Sequence, residues 1–219
     1  MKIKIFEFNP LGVNTYVLYD ETGECIVVDA SCFFSDENEL LLNFILDNNL
    51  TVKYLVNTHL HFDHIFGVNF MASQFGLKLQ AHRDDIFLLE KMSEQLQLFG
   101  FNTNVDYTPE VGRYLSEDDV ISFGEQQLKV LHVPGHSPGS IVFYNEREQF
   151  AVVGDVLFNG SIGRTDLLGG NFEQLIEGIR TKLFTLPDKT EIYPGHGQKT
   201  TIGREKRDNP FVGTLNFKL

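Results

Sequence analysis

The segment Thr58-His59-Leu60-His61-Phe62-Asp63-His64 is the most informative part of this chain, because it places three imidazoles and a carboxylate within six positions. It directly follows an apolar run that predicts a buried strand. In an extended segment, alternate side chains such as those of His59 and His61 point to the same side. Asp63 and His64 can turn back toward them where the next helix begins. Since neutral imidazole and carboxylate suit divalent metals such as zinc, this segment predicts metal binding.

Three more candidate ligands follow, each at the end of an apolar run and flanked by glycine or proline. They are His136 in Pro134-Gly135-His136-Ser137-Pro138-Gly139, Asp155 in Val153-Gly154-Asp155, and His196 in Tyr193-Pro194-Gly195-His196-Gly197. Glycine and proline let the backbone turn sharply and approach a site closely. The five histidines and two aspartates are as many protein ligands as two ions use when each takes three of its own and both share one carboxylate, with a bridging water or hydroxide completing both shells.

Short strands and helices alternate around these motifs. Strands are predicted at 2–8, 14–19, 25–29, 52–57, 120–123, 127–132, 140–145, 150–154 and 191–193. Helices are predicted at 37–48, 65–75 and 172–183, with an amphipathic stretch at 84–98. The first three strands are expected to be antiparallel, because only turns separate them. Without a Pro/Ser-rich linker, residues 1–219 are predicted to form one α+β domain with two sheets packed together and helices on the outer faces.

The composition narrows the class of partner. Over 219 residues, 18 Lys+Arg stand against 30 Asp+Glu, a formal charge of −12, which argues against binding nucleic acid or an anionic membrane. Cys25 and Cys32 fit neither a disulfide framework nor a CxxC motif. The first residues contain no apolar stretch of signal-peptide length, and no segment reaches the ~18 apolar residues of a membrane span. We therefore expect a cytoplasmic protein that acts on a small molecule.

The order HxHxDH, lone His, lone Asp, lone His resembles the metallo-β-lactamase superfamily over nearly the whole chain. Within it, several loops are similar to glyoxalase II-related hydrolases of the compact bacterial type. These are Pro134–Ser140, Gly154–Phe158, Gly163-Arg164-Thr165-Asp166 and Pro194–Gly197, followed by Glu205 and Asn209-Pro210-Phe211. The resemblance implies a four-layer αβ/βα sandwich of two mixed β-sheets with helices on the outer faces and the metal site at one edge.

The resemblance also implies a ligand set for two divalent ions, most typically zinc, with iron or manganese as alternatives. It assigns His59, His61 and His136 to one ion, Asp63, His64 and His196 to the other, and Asp155 to both. His61 separates the chain from flavodiiron relatives, which usually carry Glu there. Because the sequence ends at Leu219, we expect it to lack the C-terminal helical segment whose basic residues hold glutathione in full-length glyoxalase II. The thiol of the substrate is therefore left open.

These features favour hydrolysis of a small acyl thioester by a metal-bridging hydroxide. Two divalent ions bring +4 while Asp63, Asp155 and a hydroxide bring −3, so an anionic substrate is acceptable at the site. A metal lowers the pKa of a bound water toward ~7. A thiolate, from a thiol of pKa ~8.5, leaves without a strong general acid. Asp63 is the candidate for a catalytic role besides ligation.

Two other classes of function stay open. A mononuclear iron persulfide dioxygenase is the first alternative, since that family also carries a GRTD-like loop. The resemblance would then assign its iron to His59, His136 and Asp155. A non-catalytic metal-binding protein is the second.

Other residues near the motifs have two interpretations each. Asp29 is expected to hydrogen-bond a ligand imidazole, with an ordinary turn aspartate as the alternative. His132 is expected to support the site or the core without binding metal, and His82 to lie at a solvated helix terminus. Arg164 forms either a local ion pair or a substrate contact. The aromatic residues of the 95–110 stretch belong either to a lid or to a plain loop; they are Phe99, Phe101 and Tyr107.

Overall fold

The computed structural model describes residues 1–103 and 105–214. The chain divides into two compact units. The first comprises Met1–Leu115 with Ser122–Gln126, and the second comprises Ser116–Ile121 with Gln127–Leu219. Each unit is built around one six-stranded sheet. The single domain expected for residues 1–219 stays a prediction.

The first unit contains a mixed sheet. Its strands are β1 Lys2–Phe8, β2 Val13–Tyr19, β3 Glu24–Val28, β4 Thr51–Val56, β5 Leu79–His82 and β6 Val111–Leu115, in that spatial order. β1, β2 and β3 pair antiparallel, which confirms the prediction from the short turns. β4, β5 and β6 then add in parallel. Because the carboxyl ends of β3 and β4 share one edge of the sheet, the residues that follow these two strands meet there.

Four helices accompany this sheet: α1 Ser35–Asp47, α2 Val68–Phe75, α3 Ile86–Glu90 and α4 Met92–Leu98. Two 3₁₀ turns, Phe62–His64 and Arg83–Asp85, precede α2 and α3. α1 buries Leu41 and Ile45, which lie one turn apart. Its start is fixed by Glu37, whose carboxylate accepts hydrogen bonds from the N–H groups of Asn9 at 2.8 Å and Phe33 at 2.7 Å.

The other mixed sheet belongs mostly to the second unit. Its strands are β7 Val120–Phe123, β8 Gln126–His132, β9 Ile141–Asn145, β10 Phe150–Gly154, β13 Glu191–Pro194 and β14 Thr200–Thr201, with the spatial order β14-β13-β10-β9-β8-β7. The end of β7 and the first residue of β8 are the exception, since the division assigns them to the first unit. A small hairpin, β11 Leu157–Phe158 with β12 Ser161–Ile162, follows β10. The helices are α5 Phe172–Thr181, which buries Leu175 and Ile179, and α6 Ile202–Asp208. A 3₁₀ turn, Leu183–Thr185, follows α5.

Two mixed sheets with helices confirm the predicted α+β class. The predicted helix at 65–75 begins only at Val68, because the chain is still in the 3₁₀ turn and its exit before that residue. The 84–98 stretch is broken at Lys91, whose φ of −100° and ψ of 14° separate α3 from α4. The sequence does not predict β5, β6, α6 or the two-residue strands. No helix among the described residues is long and apolar enough to cross a membrane.

Both cysteines are free thiols buried in the first unit. Burial raises the pKa of the Cys25 thiol to about 12, and it also raises the pKa of Cys32. At pH 8, only about one Cys25 side chain in 10,000 is therefore a thiolate, the reactive form. We expect a disulfide reagent to label neither cysteine of the native protein at pH 8, and to label both after denaturation. Rapid labelling of the native protein would contradict this packing.

Candidate metal centre

In the first unit, the histidine-rich segment follows the carboxyl end of β4, and its backbone is extended at His61, which has φ −65° and ψ 147°. The chain then enters the 3₁₀ turn Phe62–His64. His59, His61, Asp63 and His64 are all buried. The ring centroid of His59 lies 4.8 Å from that of His61 and 4.1 Å from that of His64. The structure therefore gathers the three imidazoles of this segment, as their spacing predicted.

Two asparagine side chains fix the backbone of this segment. The Asn57 amide donates to the carbonyl of His59 at 3.3 Å and to that of His64 at 2.9 Å. The Asn9 amide, from the turn after β1, donates to the carbonyl of Asp63 at 2.9 Å. The backbone carbonyls of three candidate ligands, His59, Asp63 and His64, thus each accept a hydrogen bond from an asparagine side chain. The sequence analysis missed both asparagines, since nothing in their local sequence shows which carbonyls they reach.

Asp29 orients the imidazoles. It follows β3, is fully buried, and has a left-handed backbone with φ 52°. Its carboxylate accepts from the backbone N–H and the hydroxyl of Thr58, each at 2.7 Å, and lies 3.0 Å from Nδ1 of His64. The Thr58 hydroxyl lies 3.0 Å from Nδ1 of His59. With Nδ1 of His59 and His64 engaged in this way, Nε2 would be the ligand atom of each toward a metal. The predicted contact of Asp29 with the imidazole of a candidate ligand, His64, is observed.

In the second unit, one carboxylate lies between two histidines. Asp155 follows β10, and its Oδ2 lies 3.5 Å from Nε2 of His136 and 3.5 Å from Nε2 of His196. Two atoms that bind one tetrahedral ion at ~2.1 Å are roughly 3.4 Å apart. Both distances fit an ion shared by the aspartate and each histidine. The donor set, imidazole nitrogen with carboxylate oxygen, is also one that divalent metals prefer.

Local backbone requirements explain two glycines near these candidate ligands. A Cβ on Gly163 would lie 1.8 Å from the carbonyl oxygen of Asp155, so only glycine allows the two segments to approach. Gly135 has φ 133°, and a Cβ there would lie 2.4 Å from the backbone nitrogen of Leu175 in α5. Nδ1 of His136 lies 2.8 Å from the carbonyl oxygen of Arg164, which directs Nε2 toward Asp155.

Glu205, on α6, ties together the loops that carry Asp155 and His196. Its buried carboxylate accepts from the N–H of Gly160 at 2.9 Å and from the hydroxyl of Thr200 at 2.5 Å. The Asn209 amide donates to the same carboxylate at 2.7 Å. Hydrogen bonds to a carboxylate are stronger than hydrogen bonds between neutral groups, so a buried carboxylate with several donors holds those donors firmly in place. The sequence motif containing Glu205 and Asn209 therefore supports the loops.

The Arg164 side chain makes a local ion pair. Its Nε and Nη2 donate to the two carboxylate oxygens of Asp166, each at 2.8 Å. This bidentate contact lowers the pKa of Asp166 to about 2. The contact supports the structural interpretation of Arg164, while its backbone carbonyl orients His136.

Replacement of Arg164 by alanine leaves that carbonyl in place. We expect Arg164→Ala to retain its metal and to change kcat/KM by no more than roughly 3-fold. The exposed pair adds little stability, so the melting temperature should fall by at most about 4 °C. Because the folded pKa of Asp166 is depressed, this small contribution is present above about pH 4 and is lost as the pH falls toward 2. A large rise in KM with metal content unchanged would instead assign Arg164 to substrate binding.

The two remaining histidines have structural partners. Nε2 of His132, at the end of β8, lies 2.8 Å from the carbonyl oxygen of Pro138, within the loop that carries His136. His82 ends β5, and its Nδ1 accepts from the N–H of Asp84 at 3.2 Å as a cap of the following turn. These contacts favour the supporting role predicted for His132 and the terminal position predicted for His82.

The aromatic residues of the 95–110 stretch belong to the packing of the first unit. Phe101 lies against Phe62 and Phe66, with ring centroids 5.4 Å and 5.5 Å away. Phe99 packs on Phe62 at 5.0 Å, and Tyr107 packs on Phe66 at 4.8 Å. Asn104, in the same stretch, lies outside the described residues. These contacts with the histidine-rich segment favour a packed loop over a lid.

Comparisons with known proteins agree with this architecture. Residues 8–196 match the family described as the metallo-beta-lactamase superfamily. The chain is 36% identical to the hydroxyacylglutathione hydrolase GloC of Haemophilus influenzae, covering 98% of this chain and 99% of that protein. It is 33% identical to the probable metallo-hydrolase YqgX of Bacillus subtilis, covering 99% and 100%.

Solved structures share the fold. The BLEG-1 B3 metallo-beta-lactamase superimposes with a TM-score of 0.88 at 33% identity, covering 96% of this chain and 99% of that one. TTHA1623 in a di-iron-bound form gives a TM-score of 0.83 at 32% identity, covering 95% and 100%. ETHE1 from Myxococcus xanthus gives 0.78 at 26% identity, covering 97% and 84%. With its histidine and aspartate clusters, its two mixed sheets and these likenesses, the chain belongs to the metallo-β-lactamase superfamily.

Proposed function

We propose that this protein is a metal-dependent hydrolase that cleaves a small acyl thioester at a two-metal centre. Metal-dependent hydrolysis is the coarser part of the proposal and follows from the superfamily. The observation that carries the two-metal centre is the position of Asp155, whose Oδ2 lies 3.5 Å from Nε2 of both His136 and His196. One carboxylate oxygen equidistant from two ligand histidines suits a bridge between two ions.

The proposal assigns the seven candidate ligands to two ions. His59, His61 and His136 would hold one ion, Asp63, His64 and His196 the other, and Asp155 would be shared by both. Zinc fits this nitrogen-rich set, and iron or manganese are alternatives. The di-iron-bound form of TTHA1623 supports the possibility of iron.

When bound, two such ions lower the pKa of a water toward ~7 and polarise a carbonyl oxygen. Asn9 donates to the backbone carbonyl of Asp63, and the Asp63 carboxylate would accept a hydrogen bond from the attacking water. Asp29 holds the proton of His64 on Nδ1, which keeps Nε2 available as a ligand. Asp63 thus acts both as a ligand and as a catalytic residue.

The nature of the leaving group favours a thioester. A thiol of pKa ~8.5 leaves as its thiolate near neutral pH, whereas an amide nitrogen needs a proton as it departs. Asp63, ionised at a metal, is a poor proton donor. The name of the Haemophilus relative, a hydroxyacylglutathione hydrolase, supports a hydroxyacyl thioester such as S-lactoylglutathione as the first substrate to test. A cytoplasmic location, with two free thiols in the chain, belongs to the same proposal.

The test is thiol release from S-lactoylglutathione and from a thioester of a small neutral thiol, measured on zinc-loaded protein. We expect activity that a chelator abolishes and that added zinc restores. His196→Ala should lose it, while His82→Ala, a histidine outside the proposed ligand set, should keep it. Comparison of the two substrates shows whether glutathione itself is recognised. Thiol release that survives full removal of metal would contradict the proposal.

A persulfide dioxygenase with one iron is the second candidate, and the structural likeness to ETHE1 is what favours it. Its iron would be bound by His59, His136 and Asp155, with His61, Asp63, His64 and His196 not binding metal. The equal approach of Asp155 to both His136 and His196 fits the two-metal assignment better. We therefore place hydrolysis first.

A further inference from the structure

Two buried side chains accept hydrogen bonds from the backbone of the histidine-rich segment. They are Asp85, in the 3₁₀ turn Arg83–Asp85, and Gln95, in α4. The N–H of Leu60 donates to Oδ2 of Asp85 at 3.1 Å. The N–H of Phe62 donates to Oε1 of Gln95 at 3.4 Å. Asp85 is 0% exposed and Gln95 is 8% exposed. Both hydrogen bonds are therefore shielded from water, where a lost partner costs most.

The N–H groups of Leu60 and Phe62 donate these two hydrogen bonds from the same side of the histidine-rich segment. In an extended segment, the N–H groups of alternate residues point to the same side, just as alternate side chains do. Leu60 and Phe62 lie on either side of the extended His61, and Phe62 is the first residue of the 3₁₀ turn. His59 and His61 are the other alternate pair. Asp85 and Gln95 thus accept hydrogen bonds where a neighbouring strand would otherwise accept them.

We infer that Asp85 and Gln95 are positioning residues that keep this segment extended and so present His59 and His61 to the metal from one side. This inference rests on the metal-binding part of the proposed function. If the segment relaxed into a turn at Leu60, the two imidazoles would no longer alternate onto one side. The hydrogen bonds from Asn9 and Asn57 hold carbonyls of the segment, so they do not replace this restraint on its N–H groups.

Gln95 has a second bond that makes the inference testable. Its Nε2 donates to the carbonyl of Leu88 in α3 at 2.7 Å, across the break at Lys91. Gln95→Leu removes both bonds. Gln95→Glu keeps an oxygen that accepts from Phe62 but loses the donor to Leu88. Both variants therefore lose the hydrogen bond between α4 and α3, and only Gln95→Leu also loses the hydrogen bond from Phe62 in the histidine-rich segment.

The experiment is cobalt(II) binding to the purified full-length protein. It records the visible absorption spectrum, the affinity by competition with a chelator, and the melting temperature of the metal-free form. We expect Asp85→Ala and Gln95→Leu to weaken metal binding by about 10-fold or more and to change the cobalt spectrum. Gln95→Glu should keep the wild-type spectrum and an affinity within roughly 3-fold, although its metal-free melting temperature falls as for Gln95→Leu. Gln97→Leu, an exposed position on the same helix, is the matched control and should change neither.

A purely structural role predicts a different pattern. In that case both Gln95 variants would melt earlier and yet bind cobalt with the wild-type spectrum and affinity, which would overturn the inference. If Asp85→Ala does not fold, the comparison of Gln95→Leu with Gln95→Glu still decides. Wild-type protein that binds no cobalt would overturn the proposed function together with the inference. Normal wild-type binding with unaffected variants overturns the inference alone.

Discussion

Replacement of Asp155 by alanine should remove metal from both positions and lower kcat/KM by about 10³-fold or more. The reason is that a bridging carboxylate is a ligand of both ions, and metal activation of water and carbonyl supplies several kcal/mol to the barrier. Each 1.36 kcal/mol corresponds to tenfold in rate. Metal content by plasma emission and thioester turnover measure the two effects on one preparation.

Asp188→Ala is the matched control for Asp155→Ala, because it removes an exposed carboxylate from the same unit. It should retain its metal and wild-type activity. If carefully metallated wild-type protein saturates at one ion, and Asp155→Ala remains active, the two-metal assignment is wrong.

Asp29→Ala should cause the largest loss of stability. It leaves the N–H and hydroxyl of Thr58 and Nδ1 of His64 without their buried acceptor, at a cost of about 3 kcal/mol or more. It also places alanine at φ 52°, a backbone conformation that non-glycine residues rarely adopt. At about 2–4 °C per kcal/mol, the melting temperature of the metal-free protein should fall by about 6 to 12 °C. Circular dichroism during heating measures this directly.

Asp29→Asn separates the role in folding from the role at the metal. Asparagine tolerates the left-handed backbone, so the stability loss should be smaller than for alanine. Its amide, however, would donate to Nδ1 of His64 and favour the tautomer with the proton on Nε2, the proposed ligand atom. Zinc affinity should therefore fall by about 10- to 100-fold. Wild-type zinc affinity in Asp29→Asn would mean that Asp29 has no role in orienting His64.

The fold was predictable where hydrophobic periodicity is strong. The strands Lys2–Phe8, Val120–Phe123 and Phe150–Gly154 have the bounds expected from their apolar patterns. β6 could not be recognised, because three of its five residues are exposed and only its pairing with β5 makes it a strand. α6 likewise buries only Ile202 and Glu205, so its sequence has little apolar periodicity.

The clustering of the candidate ligands could be predicted from the sequence, but the side chains that support them could be predicted only in part. The ligand types follow from residues clustered within a few positions, and Asp29 could be anticipated because it ends an apolar run. Asn9, Asp85 and Gln95 could not, since each reaches the histidine-rich segment from 25 or more positions away in the sequence. Such contacts are set by the packing of the unit, and a single sequence carries no local signal for them.

The reaction class itself is tested most directly on one preparation, loaded in turn with zinc and with ferrous iron. Each form is assayed for cleavage of S-lactoylglutathione and for oxygen consumption with glutathione persulfide. The two-metal hydrolase predicts thioester cleavage by the zinc form and no oxygen uptake above a metal-only control. Rapid oxygen uptake by the iron form, with no thioester cleavage by either form, would contradict it and would establish the persulfide dioxygenase in its place.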